Sequence, residues 1–322
     1  MTRGRFAALG MRRAARVLGA AALLLCAALG AVAPARAAGG ERVLAVYLPG
    51  VYFAELERKL ELGNELATYL QQRLGERYHL NARVYGTEDA LTADSSRIAL
   101  ALVESPFVAT RLAQLLPVSV AFAGGSTETR LQILGSPALG SVQDLRKSAL
   151  TYAAVLDPSQ AFFDNFVFEG ELALPKASLV PTRDVASALS LASLHKAEAI
   201  LLYEEDAAMG RQSGLRTLYQ SDRLPRPTLV LMDRKTEAAD VQRLREALSQ
   251  FRGQVHPSLR AFRPTSDAPY QALRSHIERK PRRVPPLLEL IEEPVPLPLP
   301  HPPVPAEKFP SPVPLQVFAP LE

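Results

Sequence analysis

From Glu41 to about Glu278 the chain alternates short apolar runs with segments of helical periodicity, and this alternation limits the possible fold more than any other feature. "RVLAVYL", "HLNARVY", "RIALALV", "VSVAFAG", "ETRLQIL", "ALTYAAVL", "ASLV", "AEAILLY", "RTLYQS" and "RPTLVLMD" read as strands. "FAELERKLELGNELATYLQQRLG", "SVQDLRKS", "RDVASALSLASLH" and "EAADVQRLREALSQF" read as helices, with another starting at Ser105-Pro106. In the first of these, Leu56, Leu60, Leu66 and Leu70 are expected to form the buried stripe and Gly75 the stop. Strands alternating with helices predict an α/β fold with mostly parallel sheets.

The two ends stand apart from this body. Residues 1–37 carry a basic start, the apolar run "AAALLLCAALGAV" and the small-x-small site "ARA", the pattern of a signal peptide cut after Ala37. The run is short for a membrane helix, which needs about 20 residues, so no membrane span is expected after cleavage. The segment holds six arginines and no acid, so the formal net charge of +4 becomes −2 without it. The basic balance is therefore a targeting feature and does not mark a nucleic-acid binder. Cys26, the single cysteine, leaves with the peptide, which excludes disulfides and thiol chemistry from the mature chain. Residues 279–322 form a proline-rich tail, with 14 of the 27 prolines from Pro281 onward. Such spacing forbids helix and interior strand and predicts a disordered tail. Its interleaved Leu, Val and Phe leave open a ligand segment for an envelope partner.

One stretch poses the functional question. "DPSQAFFDNFVFEG", Asp157 to Gly170, follows the strand "ALTYAAVL" and opens like a capped helix, with Asp157 as cap, Pro158 at the first position and Gly170 at the stop. A strand feeding a helix N-terminus is a common anion site in α/β proteins. Yet only Ser159 and Gln160 supply donors before Phe162, Phe163, Phe166 and Phe168. Other candidates are Tyr47 and Tyr52 beside the first strand end, Glu104 and Ser105 at a helix start, Arg183, and Glu204 in "EED". Each has a plain alternative: core packing for Tyr47 and Phe162, capping for Glu204, a solvated side chain for Arg183. No Gly-x-Ser-x-Gly, His-Glu-x-x-His, P-loop or Gly-x-Gly-x-x-Gly occurs, and the five histidines show no metal spacing, so neither an enzyme nor a cofactor or metal is expected.

The order of elements resembles the type 2 periplasmic solute-binding proteins, and among them the phosphate, phosphite and phosphonate binders of ABC transporters. "LAVYLPG" with "LGNELATYLQQRLG" is similar to the family's opening strand and helix. "IALALVESPFVA" is similar to its strand ending in a Gly-Pro-aromatic helix start. "GSVQDLRKSALTYAAVLDPSQAFF" resembles the element that carries the family's Asp-Pro-Ser/Thr loop. "DVASALSLASLHKAEAILLYEED" and "AFRPTSDAPYQALR" resemble its later helix-strand pair and closing motif.

The resemblance implies a two-lobed clamp, with 41–123 plus 225–278 as one lobe, 124–222 as the other, and two crossover strands as hinge. It also implies a periplasmic protein, expected to be monomeric, that holds a small-molecule solute in the cleft for an ABC permease or a sensor. The residues depart from the family at the anion site. The Ser/Thr run is reduced to Ser159, and Glu104 stands where the family has glycine. A buried carboxylate there would repel an anion, so a more apolar or zwitterionic solute is expected, with Glu104 or Glu204 meeting any amine. The alternative is an interaction protein that uses a degenerate solute-binding fold and its tail.

Overall fold

The computed structural model describes residues 42–153 and 160–279. They belong to the first of two units, Met1–Pro281; the second is Arg282–Glu322.

Two sheets form the body. The first has six strands: β1 (Val43–Tyr47), β2 (Asn81–Val84), β3 (Ile98–Val103), β4 (Leu116–Ala121), β10 (Thr228–Leu231) and β11 (Phe262–Pro264), in the order β11-β4-β10-β3-β1-β2. Four of the six run one way, and β10 and β11 oppose them. The second has five strands, β5 (Glu128–Gly135), β6 (Leu150–Ala153), β7 (Leu179–Thr182), β8 (Ala199–Tyr203) and β9 (Arg216–Pro225), in the order β7-β6-β8-β5-β9. Here only β5 runs against the rest. The central strands β1, β6, β8 and β10 are buried at every position, as expected of continuous apolar runs covered on both faces.

The chain passes from the first sheet to the second between β4 and β5 and returns between β9 and β10. The outward crossing turns tightly at Gly124 and Gly125, both at positive φ, inside a bridge between Ala123 and Ser126. The return crossing is tied to it. Arg226 N–H donates to Thr127 O at 2.9 Å, and Ala121 N–H donates to Pro227 O at 2.9 Å.

Seven α-helices are described: α1 (Leu56–Leu74), α2 (Glu88–Ala93), α3 (Ser105–Thr110), α4 (Val185–Ser193), α5 (Ala207–Gln212), α6 (Ala238–Gln250) and α7 (Ala268–Ile277). Helix α1 ends at Gly75, whose φ of +81° suits glycine. Its buried face is Leu62, Gly63, Leu66, Ala67 and Leu70. The expected stripe is corrected at its N-terminal end, because Leu56 and Leu60 are 64% and 41% exposed. Gly63 takes the place nearest the sheet. A Cβ there would stand 2.9 Å from Ala82 Cβ and 3.1 Å from Val46 Cγ2, so the bare backbone sets how closely α1 packs on β1 and β2.

The stretch 162–167 is a π-helix, where an α-helix was expected. Phe168 N–H donates to Phe163 O at 2.8 Å, five residues back, and Gly170 N–H closes the end on Asp164 O at 2.7 Å. The wider turn brings each later residue round by less than an α-helix would. Phe162, Phe163, Phe166 and Phe168 can therefore all face inward, and each is at most 1% exposed. Gly170 does stop the element, at φ +80°.

Candidate functional site

The lobes meet around the loop that follows β1. Strand β1 delivers this loop, Leu48–Phe53, to the sheet edge; β3 delivers Glu104 and the start of α3 beside it. From the second sheet, β6 delivers Tyr152 and Ala153, and β8 delivers Tyr203 and then Glu205 and Asp206.

Glu104 lies at the centre and is 1% exposed. Gly50 N–H donates to its Oε1 at 2.7 Å, and the Tyr203 hydroxyl, from the other lobe, donates to its Oε2 at 3.0 Å. Burial pushes its carboxyl up to about 8, against the pull of those two donors and of the Lys59 ammonium; Asp206 pushes the same way as burial. Burial likewise drives the Tyr203 hydroxyl well above its ordinary value, reinforced by Glu104. Lys59 is lowered by its own burial, although Glu104 favours its charge, and its Nζ donates to Leu48 O at 2.9 Å. The space left between Gly50, Glu104, Tyr152 and Tyr203 is about 20 Å³, room for about one water.

A second link of the same kind lies nearby. Tyr52 N–H donates to Asp206 Oδ2 at 2.9 Å across the lobes. Burial pushes Asp206 up to about 6, offset by that bond. So one carboxylate from each lobe accepts a backbone N–H of one three-residue stretch of loop, Gly50–Tyr52. Behind them, Arg226 of the return crossing pairs with Glu205 and donates from Nε to Ser126 O at 3.2 Å, while Thr129 Oγ1 donates to Glu205 Oε2 at 2.8 Å.

Two larger cavities flank the loop. One, about 330 Å³, lies between the loop, Lys59, Tyr85 and the start of α4 at Arg183–Ala186. The other, about 580 Å³, lies on the hinge side, lined by Tyr52, Phe53, Gly124, Asp206, Arg226 and the segment Val255–Ser258 among others. Both lie within the range of small-molecule sites.

The candidates from the sequence fall into three groups. Glu104, Ser105 and Tyr52 are at the lobe junction. Ser105 is buried with no partner for its hydroxyl among the described residues. Arg183 is at the rim of the smaller cavity, with its side chain 77% exposed and its Nε donating to Asp184 at 3.3 Å. Tyr47, Gln160, Phe162 and Glu204 do not line the described cavities. Tyr47 packs edge-on against Phe107 in the core, and burial raises its hydroxyl to about 12. Gln160 Nε2 donates to Asp164 Oδ1 and Leu174 O at 3.0 and 2.6 Å. Phe162 packs on Phe163 and Phe166. Ser159 lies outside the described residues.

Gly50, Lys59, Tyr203, Arg226 and His256 were not singled out from the sequence, and Asp206 was noted there only within the acidic run, with Glu204 taken as the candidate. Only Asp206 carried a signal, as the third residue of the acidic run that begins at Glu204. Among the described residues no group of His, Cys, Asp and Glu could hold a metal, and no helix is long and apolar enough to cross a membrane.

No protein family and no curated protein matches the sequence. Solved structures do match the fold. A Xanthomonas citri protein with ATP bound aligns at 13% identity over 74% of this chain and 98% of its own, with a TM-score of 0.55. The binding-protein component of a Pseudomonas aeruginosa ABC phosphonate transporter aligns at 10% identity over 73% of this chain and 85% of its own, with a TM-score of 0.56. PhnD1 of Prochlorococcus marinus in complex with methylphosphonate aligns at 12% identity over 72% and 96%, with a TM-score of 0.52. The fold is thus that of the two-lobed, type 2 periplasmic binding proteins, the class that the order of sequence elements suggested.

Proposed function

We propose that the protein is a solute-binding clamp, exported to the periplasm and cut after Ala37, whose lobes hold a small molecule for an ABC importer or a sensor. Its anion site has diverged: the backbone and hydroxyl donors at the lobe junction serve its own Glu104. The observation that carries this reading is the pair of hydrogen bonds that Glu104 accepts, from Gly50 N–H in one lobe and from the Tyr203 hydroxyl in the other. A ligand carboxylate or phosphonate would compete with Glu104 for these donors, which its side chain already occupies. The solute is then an uncharged, zwitterionic or basic molecule.

Calorimetric titration with phosphate, phosphite and methylphosphonate tests this. Displacing Glu104 from two donors costs each anion about two charge-assisted hydrogen bonds, roughly two to four powers of ten in affinity, so no micromolar binding is expected. Micromolar binding of any of the three overturns the diverged-site reading.

One observation favours a second reading. The space between Gly50, Glu104, Tyr152 and Tyr203 is only about 20 Å³. A clamp closed on itself in this way would work through its surface, as an interaction protein with a degenerate cleft. Such a protein binds none of the anions and carries no solute in the flanking cavities either.

A further inference from the structure

The hinge-side cavity of about 580 Å³ has a charge balance that its walls do not complete. Four charged side chains line it: Arg58, Glu205, Asp206 and Arg226. Arg226 pairs with Glu205. Arg58 donates from Nη1 to Glu61 at 2.6 Å. His256 is held neutral by its bonds: Nε2 faces Tyr52 O at 3.1 Å, so it carries the proton, and Nδ1 accepts from Ser258 N–H at 3.3 Å. That leaves Asp206. It is 8% exposed, and among the described residues its carboxylate accepts the Tyr52 N–H at 2.9 Å and meets no basic side chain. A buried carboxylate with one neutral donor and no counter-charge is costly, and a cation supplied from outside would relieve it.

The remaining walls suit the body of such a cation. Phe53 and His256 stand ring against ring, with centroids 4.6 Å apart. Tyr52 and Val255 add apolar surface. We propose that this cavity is the ligand site of the clamp, and that it takes an organic monocation with an aromatic or similarly apolar body, its ammonium on Asp206 and its body along Phe53 and Val255. The inference rests on the solute-binding reading above and names the site and the ligand class within it. A ligand here would touch both lobes and the hinge at once, through Tyr52, Asp206 and Gly124. Occupancy is thereby coupled to lobe orientation, which an importer or sensor could read.

The test uses the full exported chain and three probes of one size: phenethylamine, 2-phenylethanol and phenylacetate, each titrated by ligand-observed NMR at neutral pH. Phenethylamine should bind about tenfold or more tighter than phenylethanol, and phenylacetate weakest of all. Asp206→Asn keeps an acceptor for Tyr52 N–H. It should weaken phenethylamine about tenfold and leave phenylethanol within about twofold. Val255→Trp, which fills the cavity without touching Asp206, should weaken both. Equal binding of all three probes, an unchanged phenethylamine affinity in Asp206→Asn, or no probe binding at all would each overturn the inference. A co-purified solute without a basic group would also overturn it while leaving the clamp reading standing; phosphonate binding in the titration above would overturn the diverged-site reading instead.

Discussion

Replacing Glu104 with glutamine gives the sharpest test of the lobe junction. The amide oxygen keeps the Gly50 N–H bond, and the amide nitrogen can donate to the Tyr203 oxygen, so the geometry survives while the charge is lost. The carboxyl is pushed up to about 8 in the folded protein from an ordinary 4.5. Between those values the native state holds a proton that the unfolded chain has released. Stability therefore falls as pH rises through this window, and levels off above about 8. Each pH unit inside it removes at most about 1.4 kcal/mol, so going from pH 5 to pH 7.5 removes about 3 kcal/mol through this one group. At about 2–4 °C per kcal/mol, that is a fall in Tm of about 6–12 °C. Asp206, pushed up to about 6, titrates in the same range, and Lys59 and Tyr203 also face Glu104, but all three are present in both proteins. The difference between wild type and Glu104→Gln isolates the carboxyl. Thermal unfolding followed by circular dichroism from pH 5 to 9 should show the wild-type Tm falling and the variant's nearly level by comparison. At pH 8 the variant should be the more stable. Parallel curves for the two proteins would refute the reasoning, since the carboxyl would then titrate as an exposed group and could not be sealed between the lobes.

Two further outcomes follow from the same physical picture. Gly63→Ala should lower stability by about 1–3 kcal/mol in urea unfolding, because the new Cβ would stand 2.9 Å from Ala82 Cβ, and this outweighs the gain in helix propensity. N-terminal sequencing of the exported protein should begin at Ala38; a chain that starts at Met1 in the membrane fraction would contradict the proposed cleavage.

How far the sequence could be read depended on whether the signal was local. The first ten strands and their order along the chain were legible because each central one is a short apolar run with its own turn or helix on either side; β11, only three residues from Phe262 to Pro264, was not read as a strand. The stop of α1 at Gly75 and the stop of the aromatic stretch at Gly170 were legible for the same reason: a positive φ favours glycine wherever it occurs. Leu56 and Leu60 were misplaced because periodicity shows which residues share a stripe, and does not show where along a helix the neighbouring sheet ends. The π-helix was invisible, since nothing in "FFDNFVF" distinguishes it from an α-helix until the phenylalanines must share one core.

At the site, Glu104 drew notice as a carboxylate at a helix start. Its meaning lay in Gly50, 54 residues before it, and Tyr203, 99 residues after it. The acidic run was seen, but Glu204 was chosen over Asp206, because strand-end geometry decides which of three adjacent acids faces the other lobe. His256 and Arg226 gave no sign at all; both matter only through partners on distant segments.

We propose a clamp that carries a solute, and a solute other than a phosphate or phosphonate. Native mass spectrometry of the protein purified from the periplasm without refolding tests it most directly. The spectrum should show a bound species of small-molecule size, consistent with a cavity of about 580 Å³, that contains no phosphorus and is lost on mild activation. A bound phosphate or phosphonate, or a protein that is bare in every gentle preparation, would contradict it.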